Sequence, residues 1–152
     1  MTLAPILAAV ALAIAPQEAV VSHQASGTFN VSITPVTPAE GAATDLPGRM
    51  ILAKTFHGGL TGTGEGEMLG AMGPSQSGAY VAMERVRGSL DGREGTFLLV
   101  HRGLMDRGAQ DLSITVVPGS GTGALEGLTG VFHLTIADGE HRYVLDYILP
   151  TD

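Results

Sequence analysis

From Ser26 onward the chain alternates apolar and polar positions in short runs, each closed by glycine, proline or an Asp-Gly pair. The first run sets Phe29, Val31 and Ile33 on one face and Asn30, Ser32 and Thr34 on the other, the two-residue period of a half-buried strand. Pro35, Pro38, Gly41, Pro47 and Gly48 then mark residues 36–48 as a connection, because proline has no amide hydrogen to give to a ladder. Residues 49–57 predict a second strand, with Met50, Leu52, Lys54 and Phe56 opposite Ile51, Ala53, Thr55 and His57. Residues 60–72 put Gly62, Gly64 and Gly66 on one face and Thr63, Glu65 and Glu67 on the other, and a face without side chains lets a neighbour approach closely or the sheet bend sharply.

Residues 79–88 set Tyr80, Ala82, Glu84 and Val86 opposite Val81, Met83, Arg85 and Arg87. Asp91-Gly92 supplies the turn for a hairpin into residues 95–105, where Phe97, Leu99, His101 and Gly103 alternate with Leu98, Val100, Arg102 and Leu104. Further strands are expected over 111–117, 122–128, 131–137 and 141–149, the last two joined by Asp138-Gly139, for eight or nine strands in all. No stretch after Ser26 keeps a helical period free of glycine, so the fold class is all-β. Strands joined in sequence by short turns either stack as two sheets or curl until the first meets the last, and closure removes exposed edges. The expectation is a closed or nearly closed antiparallel barrel of eight to nine strands.

The length, 152 residues, is that of one domain, and 22 glycines and 8 prolines fit many turns. Residues 2–16 form an uncharged apolar run, shorter than the ~20 residues of a membrane span. It reads as a leader over residues 1–19, followed by a linker over 20–25 and a barrel over 26–150; a misplaced start or a docked helix is the alternative. A true signal peptide makes the protein secreted or periplasmic, and otherwise it is cytoplasmic. A formal charge of −7 argues against a nucleic-acid partner. The absence of cysteine excludes disulfides, thiolate catalysis and Cys-ligated metal.

The strings RMILAKTFHGGLTGTGEGEML, GAYVAMERVRGSLDGREGTFLLVHRGLMDRG, LSITVVPGSGTGALEGLTGVF and YVLDYILP, in that order between about Ser26 and Pro150, resemble the bacterial DUF3224 family. The segment GSGTGALEGLTG is also similar to a turn and bulged strand of allene oxide cyclases and plant dirigent proteins. The resemblance implies an antiparallel barrel of the allene oxide cyclase type and transfers no reaction. Most relatives lack a long leader, so residues 1–25 depart from the family pattern.

A barrel of eight strands has a lumen that side chains fill or that holds one small ligand. Assigning the faces of Lys54 and Phe56, of Tyr80, Ala82 and Glu84, and of Phe97, Leu99 and His101 to that lumen brings Lys54, Glu84 and His101 together beside Tyr80, Phe56, Phe97 and Leu99. A carboxylate and an imidazole in an apolar pocket have pKa values pushed toward neutrality, where proton transfer is efficient. The first reading is therefore a small-molecule-binding barrel, acting on an apolar ligand as a cofactor-independent isomerase, cyclase or lyase. Glu84 is then the base, His101 its proton partner and Lys54 the support for a developing anion. The second reading makes the same three residues a buried ion pair and a core histidine. The barrel is then a structural module whose apolar outer wall suits a homo-oligomer, and a third reading is an exported carrier of apolar ligands.

Other candidates carry less. Glu65 with Glu67 and Arg85 with Arg87 form same-face pairs that fit solvated strand faces. His57, His133 and His141 have no metal-site spacing, and no metal or cofactor is expected. PGSGTG fits a tight turn better than a phosphate loop, because no helix pattern follows it. No GxSxG elbow is present.

Overall fold

The protein is described by a computed structural model over residues 21–43 and 45–150. The expected leader over residues 1–19 lies outside the described residues. Eight strands run in order: β1 (Ser22–Pro35), β2 (Gly48–Gly58), β3 (Leu60–Met72), β4 (Gly78–Leu90), β5 (Arg93–Asp106), β6 (Ala109–Val116), β7 (Thr129–Ala137) and β8 (Glu140–Ile148). Each is antiparallel to the next, and β1 closes the barrel against β8.

Two strand expectations change. Residues 22–25, read as linker, extend β1, because its first half pairs with β8 from Ser22↔Ile148 to Phe29↔His141 and its second half with β2 from Gly27↔Gly58 to Pro35↔Met50. That offset is the stagger a tilted, closed sheet requires. Residues 122–128, read as a strand, instead hold one turn of 3₁₀ helix over Gly123–Leu125. Gly123 and Gly127 take φ values of +62° and +77°, which a strand does not accommodate. Leu125 and Leu128, three residues apart, both turn inward there and are buried.

The two ends of the barrel differ. At one end, beside both described chain ends, Leu60, Leu90, Leu125 and Leu128 form an apolar plug. The other end carries the β1–β2, β3–β4, β5–β6 and β7–β8 connections. The β4–β5, β5–β6 and β7–β8 hairpins turn on Asp91-Gly92, Arg107-Gly108 and Asp138-Gly139, with φ positive at both residues of each. This is the type I′ geometry that matches strand twist. The seam between β6 and β7 is the weakest, with Thr115↔Val131 as its registered pair. The outer wall leaves Leu69, Val81, Met83, Val100 and Leu104 exposed.

Tyr143 of β8 ties the plugged end together. Its hydroxyl accepts a hydrogen bond from the Leu60 amide at 2.8 Å and lies within donating distance of the Leu60 and His57 carbonyls. Tyr143→Phe strands a buried amide and should lower unfolding stability by about 1–3 kcal/mol in urea titration. An unchanged midpoint would show that this hydroxyl does not hold the β2–β3 corner.

Candidate functional site

The inward faces of β2, β4 and β5 present Lys54, Glu84 and His101, the three buried polar or charged residues among the described ones. Lys54 Nζ donates a hydrogen bond to Glu84 Oε2 at 2.8 Å. His101 Nε2 approaches the same oxygen to 3.0 Å, at an angle too poor for a hydrogen bond, so Nε2 has no hydrogen-bonding partner, and neither does Glu84 Oε1. The lysine head also lies over three phenylalanine rings, 4.7 Å from the centroid of Phe29, 5.6 Å from Phe56 and 5.7 Å from Phe132. Aromatic faces favour a cation there.

Strand β3 makes the pairing sterically feasible. In the register, Lys54 faces Gly64, and Glu84 faces Gly66. Glu84 therefore reaches from β4 across the bare glycine face of β3 to a lysine on β2. A methyl group at Gly64 would run into Glu84 Oε1, and one at Gly66 would meet the β4 backbone. The close approach expected of the glycine run is thus realised at the site.

Burial pushes the Glu84 carboxyl up, but the His101 ring and the Lys54 ammonium outweigh it, and the net position is below the ordinary value. The expected shift of this carboxyl toward neutrality is reversed. Tyr80 is moved the other way, upward, by burial.

Above the three polar groups lies a cavity of about 250 Å³ opening at the unplugged end. Its floor and one wall hold Lys54, His101, Ala82 and Tyr80; Leu52, Phe29 and Ile114 complete the deep part. Ile33, Met68, Met105 and Ile136, near the strand ends, surround the mouth, where His141 sits 5.1 Å from the Phe29 ring. Ile114 and Leu134 also border a groove outside, between β6 and β7. A larger hollow of about 650 Å³ borders the plugged end beside Arg93, Glu126 and Pro150, and no buried polar side chain faces it.

The structure thus brings Lys54, Glu84, His101 and Tyr80 to one end of the lumen but does not bring all of them to the cavity surface. Glu84, the expected base, stands behind Lys54 and His101. Of the four side chains expected against a ligand, Tyr80 lines the cavity, whereas Phe56, Phe97 and Leu99 lie in the packed core below it. Parity places a residue inside the barrel and leaves its depth along the axis open. Phe132, Met68, Met105 and Ile136 were not singled out from the sequence; their signal lay in pairing register.

Two further candidates make surface contacts. Glu67 forms a two-pronged pair with Arg49 on the outer wall, and His133 meets Asp146 there. The described residues contain no group of three or more His, Cys, Asp or Glu side chains placed to hold a metal.

The family model for DUF3224, a protein of unknown function, matches residues 25–147. The chain belongs to the DUF3224 family. A crystal structure of a DUF3224 protein of unknown function from Shewanella oneidensis MR-1 is similar to it, with 39% identity, a TM-score of 0.78, and coverage of 86% of this chain and 99% of that one. No curated protein matches the sequence. DUF3224 membership thus accompanies the closed eight-stranded barrel.

Proposed function

We propose that this barrel binds a small, largely apolar molecule in the cavity at its open end. The observation that carries the reading is the asymmetry of the lumen. One half is packed solid with leucine and aromatic side chains, while the other keeps about 250 Å³ of space over a floor with buried, incompletely partnered polar groups. Pockets of this kind, apolar with a few convergent polar groups, are the usual form of small-molecule sites. The volume equals roughly eight waters, which fits a ligand of about ten non-hydrogen atoms.

Binding is favoured over the acid–base catalysis expected of Glu84. A general base works best with a pKa near the working pH, and this carboxyl is held below its ordinary range and behind the cavity wall. Any proton passing between Glu84 and a ligand would have to run through Lys54 or His101, which stand between the carboxylate and the cavity.

Ala82 offers the test, since it is buried and lines the cavity. Ala82→Leu should fill the space, remove the thermal stabilisation given by small apolar probes, and leave the barrel folded by circular dichroism. Mass spectrometry of the purified protein should find a copurifying small molecule in the wild type and less in the variant. Equal probe binding by both proteins would place the ligand elsewhere.

A further inference from the structure

Resting on that reading, we infer that the ligand is a small apolar monocarboxylate, its head group on Lys54 and His101 and its tail toward the mouth. The polar side chains that line the cavity are Lys54, His101, Tyr80 and His141. Every one of them can donate a hydrogen bond, and none is a carboxylate. This is not a reflection of composition, because the chain carries 15 acids against 8 lysines and arginines. The carboxylate nearest the cavity, Glu84, lies behind the wall with its Oε2 already engaged by Lys54.

The donors at the floor are not used up. An ammonium has three hydrogens, and Glu84 is the one hydrogen-bond acceptor that Lys54 Nζ finds among the described side chains, with three phenylalanine rings also close to it. His101 is 4% exposed and lines the cavity, and its Nε2 stands 3.0 Å from Glu84 Oε2 without the alignment of a hydrogen bond, so a small turn of the ring would offer it to a ligand. A carboxylate brings two oxygens and a charge, so it can accept from both residues in charge-assisted bonds. An alcohol or amide offers one oxygen without the charge, and an ammonium head would meet Lys54 as a like charge. A dianion such as a phosphate monoester would bring a second negative charge, and no lysine or arginine besides Lys54 lines the cavity to meet it.

The apolar residues fix the other end of the ligand. Ile33, Met68, Met105 and Ile136 surround the mouth, and methionine side chains adapt to tails of varied shape. Space for about ten non-hydrogen atoms is the size of an eight-carbon acid.

Four probes with one tail separate head group from pocket: octanoate, octanamide, octan-1-ol and octylammonium, each titrated calorimetrically into the full chain. Octanoate should bind at least tenfold more tightly than octanamide or octan-1-ol, and octylammonium most weakly. His101→Gln, which keeps an amide donor and loses the imidazole, should narrow the octanoate-to-octanamide ratio. If octan-1-ol binds and octanoate binds no more tightly, the head-group inference falls and the binding reading stands. If no probe binds, both fall. The comparison among probes on the wild type stands even where His101→Gln does not fold.

Discussion

Lys54→Met should lower the stability of the barrel by about 3–5 kcal/mol, the loss expected when one member of a buried ion pair is removed and the other is left behind. For a chain of this size that is a fall of roughly 10 °C in Tm. Glu84 has no solvent exposure, and Oε1 already lacks a partner, so the carboxylate stranded by the substitution has only the poorly aligned His101 ring to turn to. The pair itself is a weaker source of stability than its breakage suggests. Lys54→Met/Glu84→Leu, which removes both charges at once, should return to within about 2 kcal/mol of the wild type. A single variant as stable as the wild type would show that water reaches Glu84 and that the floor of the cavity is not dry.

The same pair should steepen the acid limb of stability. Because the folded-state pKa of Glu84 lies below its ordinary value, its ionised form adds stability above the unfolded pKa, near 4.3, and that contribution drains away as pH falls through the folded value. Tm should therefore hold between pH 7 and 5 and drop below about pH 4, more steeply in the wild type than in the double variant. Equal slopes in the two proteins would assign the acid sensitivity to other carboxylates.

How far the fold was legible follows from what alternation encodes. Phe29-Val31-Ile33 and Phe97-Leu99-His101 state the two-residue period, and Asp91-Gly92 and Asp138-Gly139 state where hairpins turn, so the strands of the barrel were legible, whereas the inward parity of Lys54, Glu84 and His101 had to be assigned, because both faces of several strands are fairly apolar. Depth along the barrel axis was not, since it depends on stagger between strands. Phe56 and Lys54 share a face two residues apart, yet one belongs to the packed core and the other to the cavity floor. The run from Thr122 to Leu128 misled for a different reason. Its leucines suit a strand by composition, whereas the glycines at 123 and 127 adopt conformations a strand forbids, and the leucines become a plug. The shift at Glu84 was also beyond composition, because its sign depends on whether burial or two cationic neighbours prevails.

The glycine run of β3 links that register to the site, and it yields a sharp expectation. Gly64→Ala should destabilise the barrel by about 3 kcal/mol, the upper end of the usual cost of overpacking. The added methyl has no free volume to enter: it meets Glu84 Oε1 and comes within 3.1 Å of the Phe56 ring. A flexible carboxylate would ordinarily swing aside at small cost, but this one is held by Lys54 at 2.8 Å and has no water to retreat into, so moving it also breaks the ion pair. Steric and electrostatic costs are therefore coupled, and coupling is measurable. In a Lys54→Met/Glu84→Ala background the obstructing oxygens are gone, and adding Gly64→Ala should cost less than about 1 kcal/mol, a non-additivity of roughly 2 kcal/mol in the cycle. A cost at Gly64 that is the same in both backgrounds would mean that β3 needs glycine for its own curvature, and that the bare face between Lys54 and Glu84 is a by-product of barrel closure instead of a requirement of the pair.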